Sequence, residues 1–243
     1  GDVLIRRPEA DAIHIDPDRR STGARRHDPV FASPDIEDVR LIVKHYQDAA
    51  IKLSPGADFG LLPFDAEIEL ISHSGECKQA VVWTGRFKQA HRRATVLPAG
   101  ESVFAGEGDL LAWPEPRGLR HGCFLYEPDA AVIRADLVGV VARKFDLAPI
   151  DRQIACLLGD RIVSSPLLTP FQVIDVMGFS GRKTRAWLAR HDIGELEIKT
   201  RGFASRPEEV LRHLRPKGSR RGVLFLTRVA GRPTAILAER LPH

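Results

Sequence analysis

Ala10-Asp11-Ala12-Ile13-His14-Ile15-Asp16-Pro17-Asp18-Arg19-Arg20 is the stretch on which the fold turns. Its apolar run stops at Asp16-Pro17, where proline lacks a backbone donor and pushes its predecessor toward extended geometry, so the run predicts a buried strand and then a loop. The loop from Asp18 to Ser33 is rich in Arg, Asp, Gly and Pro, and Ser33-Pro34 predicts an N-cap and first helical residue. Ile36, Val39, Val43 and Tyr46 then recur at helical spacing between Ile36 and Ala50. Ala49-Ala50-Ile51-Lys52-Leu53 predicts a second strand, closed by Ser54-Pro55-Gly56. Strand, helix and strand form one right-handed crossover unit.

Working outward, Glu67 to Ser72 and Cys77 to Thr84 predict an antiparallel hairpin around Ser74-Gly75 at the sheet edge, with Arg93 to Val96 as a further strand. Ala99 to His121, punctuated by Gly and Pro, reads as an irregular junction, and Pro128 with Ala131, Ile133, Leu137, Val140 and Val141 as one helix reaching about Phe145. Beyond it come a strand at Phe171 to Val176, a helix from Ser180 to Arg190 and a strand at Leu196 to Lys199. A helix from Arg206 to Leu214 follows, with Ser205 and Glu208 matching a capping box, and then a hairpin of Val223 to Thr227 and Thr234 to Ala238 around Gly231. The expected fold class is α/β, a sheet ending in antiparallel strands (1–122) followed by a small α+β domain (123–243).

The 243 residues are 43% apolar, enough for a real core, and no apolar run approaches the ~20 residues that span a bilayer. Cys77, Cys123 and Cys156 lack Cys-x-x-Cys spacing, and His14, His27, His45, His73, His91 and His121 are read as having no metal-ligand spacing to them, so neither a disulfide framework, a zinc ribbon nor another metal site is expected. The reading is a soluble, cytoplasmic chain with reduced thiols. The start Gly1-Asp2-Val3-Leu4 lacks signal-peptide layout, and the only methionine is Met177, so a fragment or a processed start is expected. The net charge of +4 gathers in part between Ser180 and Arg221, where twelve Lys or Arg face five Asp or Glu.

In open α/β sheets ligands lie beyond the carboxyl ends of the strands. Asp16-Pro17 and Ser54-Pro55-Gly56 fall at such ends, where a carboxylate and rigid carbonyls can orient an acceptor; the same dipeptides also simply end strands. Arg19 and Arg20, with Arg25 and Arg26, can clamp phosphate or pair with Asp18 and Asp28. Lys52 is either a counter-ion for Asp16 or a substrate contact. Arg182, Lys183 and Arg185 open a helix whose dipole repels cations, and Lys199, Arg201 and Arg228 stand at neighbouring strand ends. Together they form either a phosphate-facing stripe or an ordinary charged face balanced by Glu195, Glu197, Glu208 and Glu209. Gly-x-Gly-x-x-Gly, phosphate-loop, His-Glu-x-x-His and Gly-x-Ser-x-Gly motifs are absent from the sequence.

The run Ala10 to Arg20 resembles the Asp-Pro-x-Arg-Arg signature at the fourth strand of a bacterial family, the class I S-adenosylmethionine-dependent methyltransferases that carry a C-terminal THUMP-like domain. Ile51 to Gly56 resembles that family's next strand end, and Ile193 to Gly202 with Leu226-Thr227-Arg228 is similar to strand ends of the THUMP-like domain. The resemblance implies a partial Rossmann-like sheet followed by a module that holds RNA, with S-adenosyl-L-methionine as cofactor of the intact protein. It places the acceptor-side motif at Asp16 and Pro17, with Arg19, Arg20, Lys52, Ser54 and Pro55 toward the substrate. Asp18 and Arg19 replace the second proline and the aromatic residue usual in enzymes that methylate amines. Gly1-Asp2-Val3 resembles the segment after the third strand, so the cofactor-binding half is expected in cis or in another chain, with no cofactor bound by this chain alone. The alternative is a non-catalytic RNA-binding or adaptor module that retains the fold.

Overall fold

A computed structural model describes residues 8–17, 33–203 and 205–242. The chain divides into two units, Gly1–Ala112 with Asp129–Val140, and Trp113–Pro128 with Val141–His243. The fold is mixed α/β with two sheets.

The first unit begins with β1 (Ile13–Ile15), α1 (Ile36–Tyr46) and β2 (Ala49–Leu53), and β1 pairs β2 in parallel register, Ile13 opposite Ala49. This is the expected crossover. The helix starts slightly later than Ser33-Pro34 suggested: Asp35 is the N-cap, its carboxylate accepting from the amides of Glu37 (3.0 Å) and Asp38 (2.9 Å). Aspartate outcompetes serine here because its charge also faces the positive end of the helix dipole. Ile36, Val39, Ile42, Val43 and Tyr46 form the buried stripe.

β3 (Glu67–His73) and β4 (Glu76–Trp83) form the hairpin, followed by β5 (Arg92–Leu97) and β6 (Glu101–Ala105). The sheet order is β1-β2-β4-β3-β5-β6. The hairpin is therefore internal rather than at the edge: β4 sits antiparallel between β2 and β3. Its run Ala80-Val81-Val82 is buried on both faces, as a central strand requires. The junction Ala99 to His121 also hides β6, in which Val103 and Ala105 are buried while Ser102 and Phe104 face outward.

Pro128 does not open a helix; it ends β7 (Phe124–Pro128), and Asp129 caps α2 (Ala130–Arg134) through the Ala131 amide at 2.8 Å. Asp136, at φ 61°, separates α2 from α3 (Val138–Lys144), so the expected single helix is two. α2 packs against β3, β4 and β5 of the first unit.

The second unit holds β7, β8 (Ala148–Asp151), β9 (Ile154–Gly159), β10 (Leu168–Gly178), α4 (Gly181–Arg190), β11 (Ile193–Thr200), α5 (Pro207–Leu214), β12 (Arg220–Val229) and β13 (Arg232–Arg240). Its seven-stranded sheet runs β11-β12-β13-β10-β7-β9-β8, three strands more than the sequence pattern showed. Trp187, Leu188, Val210 and Leu214 from the helices pack with Leu196, Leu224, Leu226 and Leu237 on one face. Phe171, Phe225, Ile236, Ile154 and Cys156 form the core of the other, the two phenylalanine rings meeting edge to face at 4.9 Å. The Ser205 and Glu208 capping box is not formed: Arg206 is the N-cap without a side-chain bond, and Pro207 at the first helical position supplies the preset φ instead. Gly194 and Gly218 let two backbones cross; a Cβ on Gly194 would lie 1.8 Å from the Gly218 carbonyl oxygen.

Candidate functional site

β1 and β2 are neighbours in parallel, so their carboxyl ends bring Asp16-Pro17 beside Lys52 and Ser54-Pro55. Residues alternate along β2, burying Ala49, Ile51 and Leu53 and leaving Ala50 and Lys52 on the opposite face. Lys52 Nζ donates to Asp16 Oδ2 at 2.7 Å, with about a third of the lysine side chain and half of the aspartate side chain exposed. Lys52 is thus paired with Asp16 while part of its side chain stays open to solvent. It holds a carboxylate open to solvent at the strand end.

Ser54 is 2% exposed, and its Oγ accepts from the Gly56 amide at 3.2 Å, while its carbonyl accepts from Ala57 N at 3.0 Å. Ser54 thus shapes the turn. Pro55 contributes its carbonyl, which accepts from Arg134 Nε at 2.5 Å; Arg134 Nη2 donates to Ala57 O at 3.0 Å, and its guanidinium lies 5.9 Å from the Phe59 ring centroid. Arg134, absent from the sequence reading, anchors the loop after β2 from α2. Arg19 and Arg20 lie outside the described residues.

Pro17, Ile36, Val39, Ile51, Leu53 and Val82 line a tight crevice against α1, with about 10 Å³ of open volume. A nucleoside-sized ligand needs some hundreds of Å³. The strand ends offer an acidic group and a shaped turn, and this crevice is too small for an adenosyl group. Nor do these residues hold a group of three His, Cys, Asp or Glu that could ligate a metal. No helix among the described residues is long and apolar enough to cross a membrane.

Further along the same sheet, Glu67 is fully buried; its Oε2 accepts from the amides of Gln89 (2.7 Å) and Ala90 (2.9 Å). Arg93 Nε stands 2.6 Å from Glu67 Oε1 as an ion pair, without aiming its N–H along a hydrogen-bond direction. Glu69 accepts from Trp83 Nε1 at 2.8 Å and Thr95 Oγ1 at 2.6 Å. These carboxylates are structural fasteners, and a charged residue recurring inside an apolar strand is the signal that could have found them.

In the second unit, β10 and β12 each pair antiparallel with β13, and β11 runs parallel to β12. The carboxyl ends of β10, β11 and β12 therefore share one sheet end, together with the start of α4. Arg182, Lys183 and Arg185 stand on that helix, all three exposed. Ser180, the N-cap, makes no side-chain cap bond, and the first turn holds no acidic residue. Arg185 donates to the His213 carbonyl on α5, and Arg228 Nη1 to the Gly231 carbonyl at 3.2 Å. Lys199 and Arg201 are committed differently. Both reach Glu127 of β7, at 2.7 and 2.5 Å, and Lys199 also approaches Glu197 at 3.2 Å. Lys199 Nζ stands 5.8 Å from the Phe171 ring centroid and the Arg240 guanidinium 4.9 Å from it, so two cations stand over this buried ring. Glu127, 8% exposed, is the organising residue that the sequence reading missed.

Residues 168–240 match the family described as THUMP domain-like. Over 225 residues the chain is 36% identical to proteins of two strains of Mycobacterium tuberculosis, each named an uncharacterized S-adenosylmethionine-dependent methyltransferase. The alignments cover 89% of this chain and 60% of those proteins, so the chain spans about 60% of the length of the curated relatives it matches. The crystal structure of a provisionally named methyltransferase from Porphyromonas gingivalis superposes with a TM-score of 0.79 at 19% identity, covering 96% of this chain and 60% of that one, which shows a shared fold.

Proposed function

We propose that this chain supplies the acceptor side of an S-adenosylmethionine-dependent methyltransferase acting on RNA. The observation that carries the reading is the solvent-facing Asp16 carboxylate, held by Lys52 at the ends of two parallel strands. It stands in a chain similar over most of its length to proteins bearing that name. Asp16 accepts a hydrogen bond from the acceptor's N–H or O–H, Lys52 fixes the carboxylate, and Pro17 and the Ser54-Pro55 turn shape the wall beside it. S-adenosyl-L-methionine supplies an electrophilic methyl group when bound. The crevice beside Pro17 and Leu53 is too small to hold it, so the reading assigns the cofactor to an amino-terminal half, in cis or in another chain.

The RNA assignment rests on the basic first turn of α4. Arg182 and Lys183 oppose the helix dipole, without acidic neighbours in that turn, and a phosphate backbone relieves that repulsion. Arg228 stands at the same sheet end. The test is methyl transfer from labelled S-adenosylmethionine to structured RNA by the polypeptide that joins these residues to a cofactor-binding half. Asp16→Ala lowers the rate, and Arg182→Glu weakens salt-dependent RNA binding. A competing reading, a non-catalytic RNA-binding or adaptor module, needs only the basic start of α4. It predicts RNA binding that survives Asp16→Ala with no methyl transfer at all.

A further inference from the structure

On the α2 side of the first sheet, away from the face that carries Lys52, the loop after β2 and α2 border an open hollow of about 350 Å³. Gly56 to Gly60, Leu70, Arg92, Arg134 and Asp136 line it. Arg92 opens β5, opposite Ile68 in the parallel register, and its Nη1 is buried without a hydrogen-bond partner. Among the described residues, Arg92 forms no salt bridge either. Arg134, on the other wall, spends Nε and Nη2 on the loop carbonyls, and neither bond uses its Nη1.

A buried cationic donor without a partner costs free energy, more than a neutral group would, and natural structures supply such groups with an anion, a carbonyl or water. Burial lowers the Arg92 pKa from its ordinary range, with Asp136 partly opposing this, yet Asp136 lies beyond ion-pair distance. The only other acidic side chain on the wall, Asp58, caps the Gly60 amide at 3.0 Å. The hollow is therefore roomy, open to solvent, and provided with two guanidinium groups, of which Arg92 Nη1 and Arg134 Nη1 are unspent.

We propose that this hollow is an oxyanion site, in which Arg92 and Arg134 receive the oxygens of a carboxylate or phosphoryl group. Asp136 weakens the site without filling it, favouring a singly charged anion over a multiply charged one. The planar fork of Arg92 suits two oxygens of one group, and a lysine in its place would offer only a point charge.

The experiment is thermal unfolding of the chain in sodium phosphate and in sodium acetate, each against sodium chloride at equal ionic strength. The expected result is a saturable rise in Tm with either oxyanion, reduced at least tenfold in apparent affinity by Arg92→Met and increased severalfold by Asp136→Asn. Equal behaviour of the wild-type and Arg92→Met proteins, or no saturable rise in wild type, overturns the proposal. Should Arg92→Met fail to fold, Asp136→Asn carries the test, and unchanged affinity there overturns it. Competition by a short single-stranded oligonucleotide distinguishes the sources: displacement of phosphate identifies a polynucleotide phosphodiester, and lack of displacement a free small anion.

Discussion

Replacing Glu127 by glutamine tests whether Lys199 and Arg201 are fasteners of the second sheet. Glu127 is 8% exposed, and the Lys199 side chain that meets it at 2.7 Å is 17% exposed. Breaking a largely buried pair by removing one partner costs about 3–5 kcal/mol, because the remaining charge is left uncompensated. The Arg201 side chain is 39% exposed, so its share is screened and adds at most about 1 kcal/mol. Glu197 stays within 3.2 Å of Lys199 and retains part of the compensation, which brings the expected loss to about 3 kcal/mol. For a domain of this size that is a fall in Tm of roughly 10 °C. Denaturant unfolding of Glu127→Gln, Lys199→Met and the double variant closes a mutant cycle, with an expected coupling of about 1–2 kcal/mol. Coupling below about 0.5 kcal/mol refutes the reasoning. So does a Lys199→Met protein that keeps its Tm while its salt dependence of RNA binding drops by about one phosphate contact.

Gly194→Ala places a methyl group 1.8 Å from the Gly218 carbonyl, against backbone that has nowhere to go, and is expected to cost more than about 3 kcal/mol in a urea titration. Asp35→Ala removes the cap of α1 and is expected to cost about 1 kcal/mol, with faster hydrogen exchange confined to the first turn of that helix. Acid should destabilise the second unit through carboxylates that include Asp192 and Asp175. The hydrogen bond from Ser219 holds Asp192 below its ordinary range. Burial pushes Asp175 up, but bonds from Trp187, His191 and the Val176 amide outweigh it and hold it low as well. Depressed folded-state pKa values mean stability that is present above the unfolded value near 4 and is lost as pH falls through the folded value. Unfolding followed from pH 6 to pH 2 should show this loss only below about pH 4, and Asp175→Asn should flatten it.

The crossover β1-α1-β2 was legible because Asp16-Pro17, the 3.6-residue stripe and Ser54-Pro55-Gly56 are local signals that burial then reinforces. β6 to β9 were not, since each is short and lies among Gly and Pro residues that also mark loops. Pro128 misled for the same reason, being tolerated both at helix starts and at strand ends. At the candidate site, the Asp16 and Lys52 pairing follows from two adjacent parallel strand ends. By contrast, the bond from Arg134 to the loop carbonyls and the Glu127 cluster join residues 77–79 and 72–74 positions apart, and no spacing rule connects them. A carboxylate inside Phe124-Leu125-Tyr126-Glu127 does announce that some cation must reach it, but not which one.

The most direct test of the methyl-transfer account is the single-turnover rate of labelled methyl transfer to structured RNA by the polypeptide containing both halves, compared between wild type and Asp16→Asn. The account predicts a fall of about 10²-fold or more with unchanged affinity for S-adenosylmethionine. An unchanged rate would contradict it.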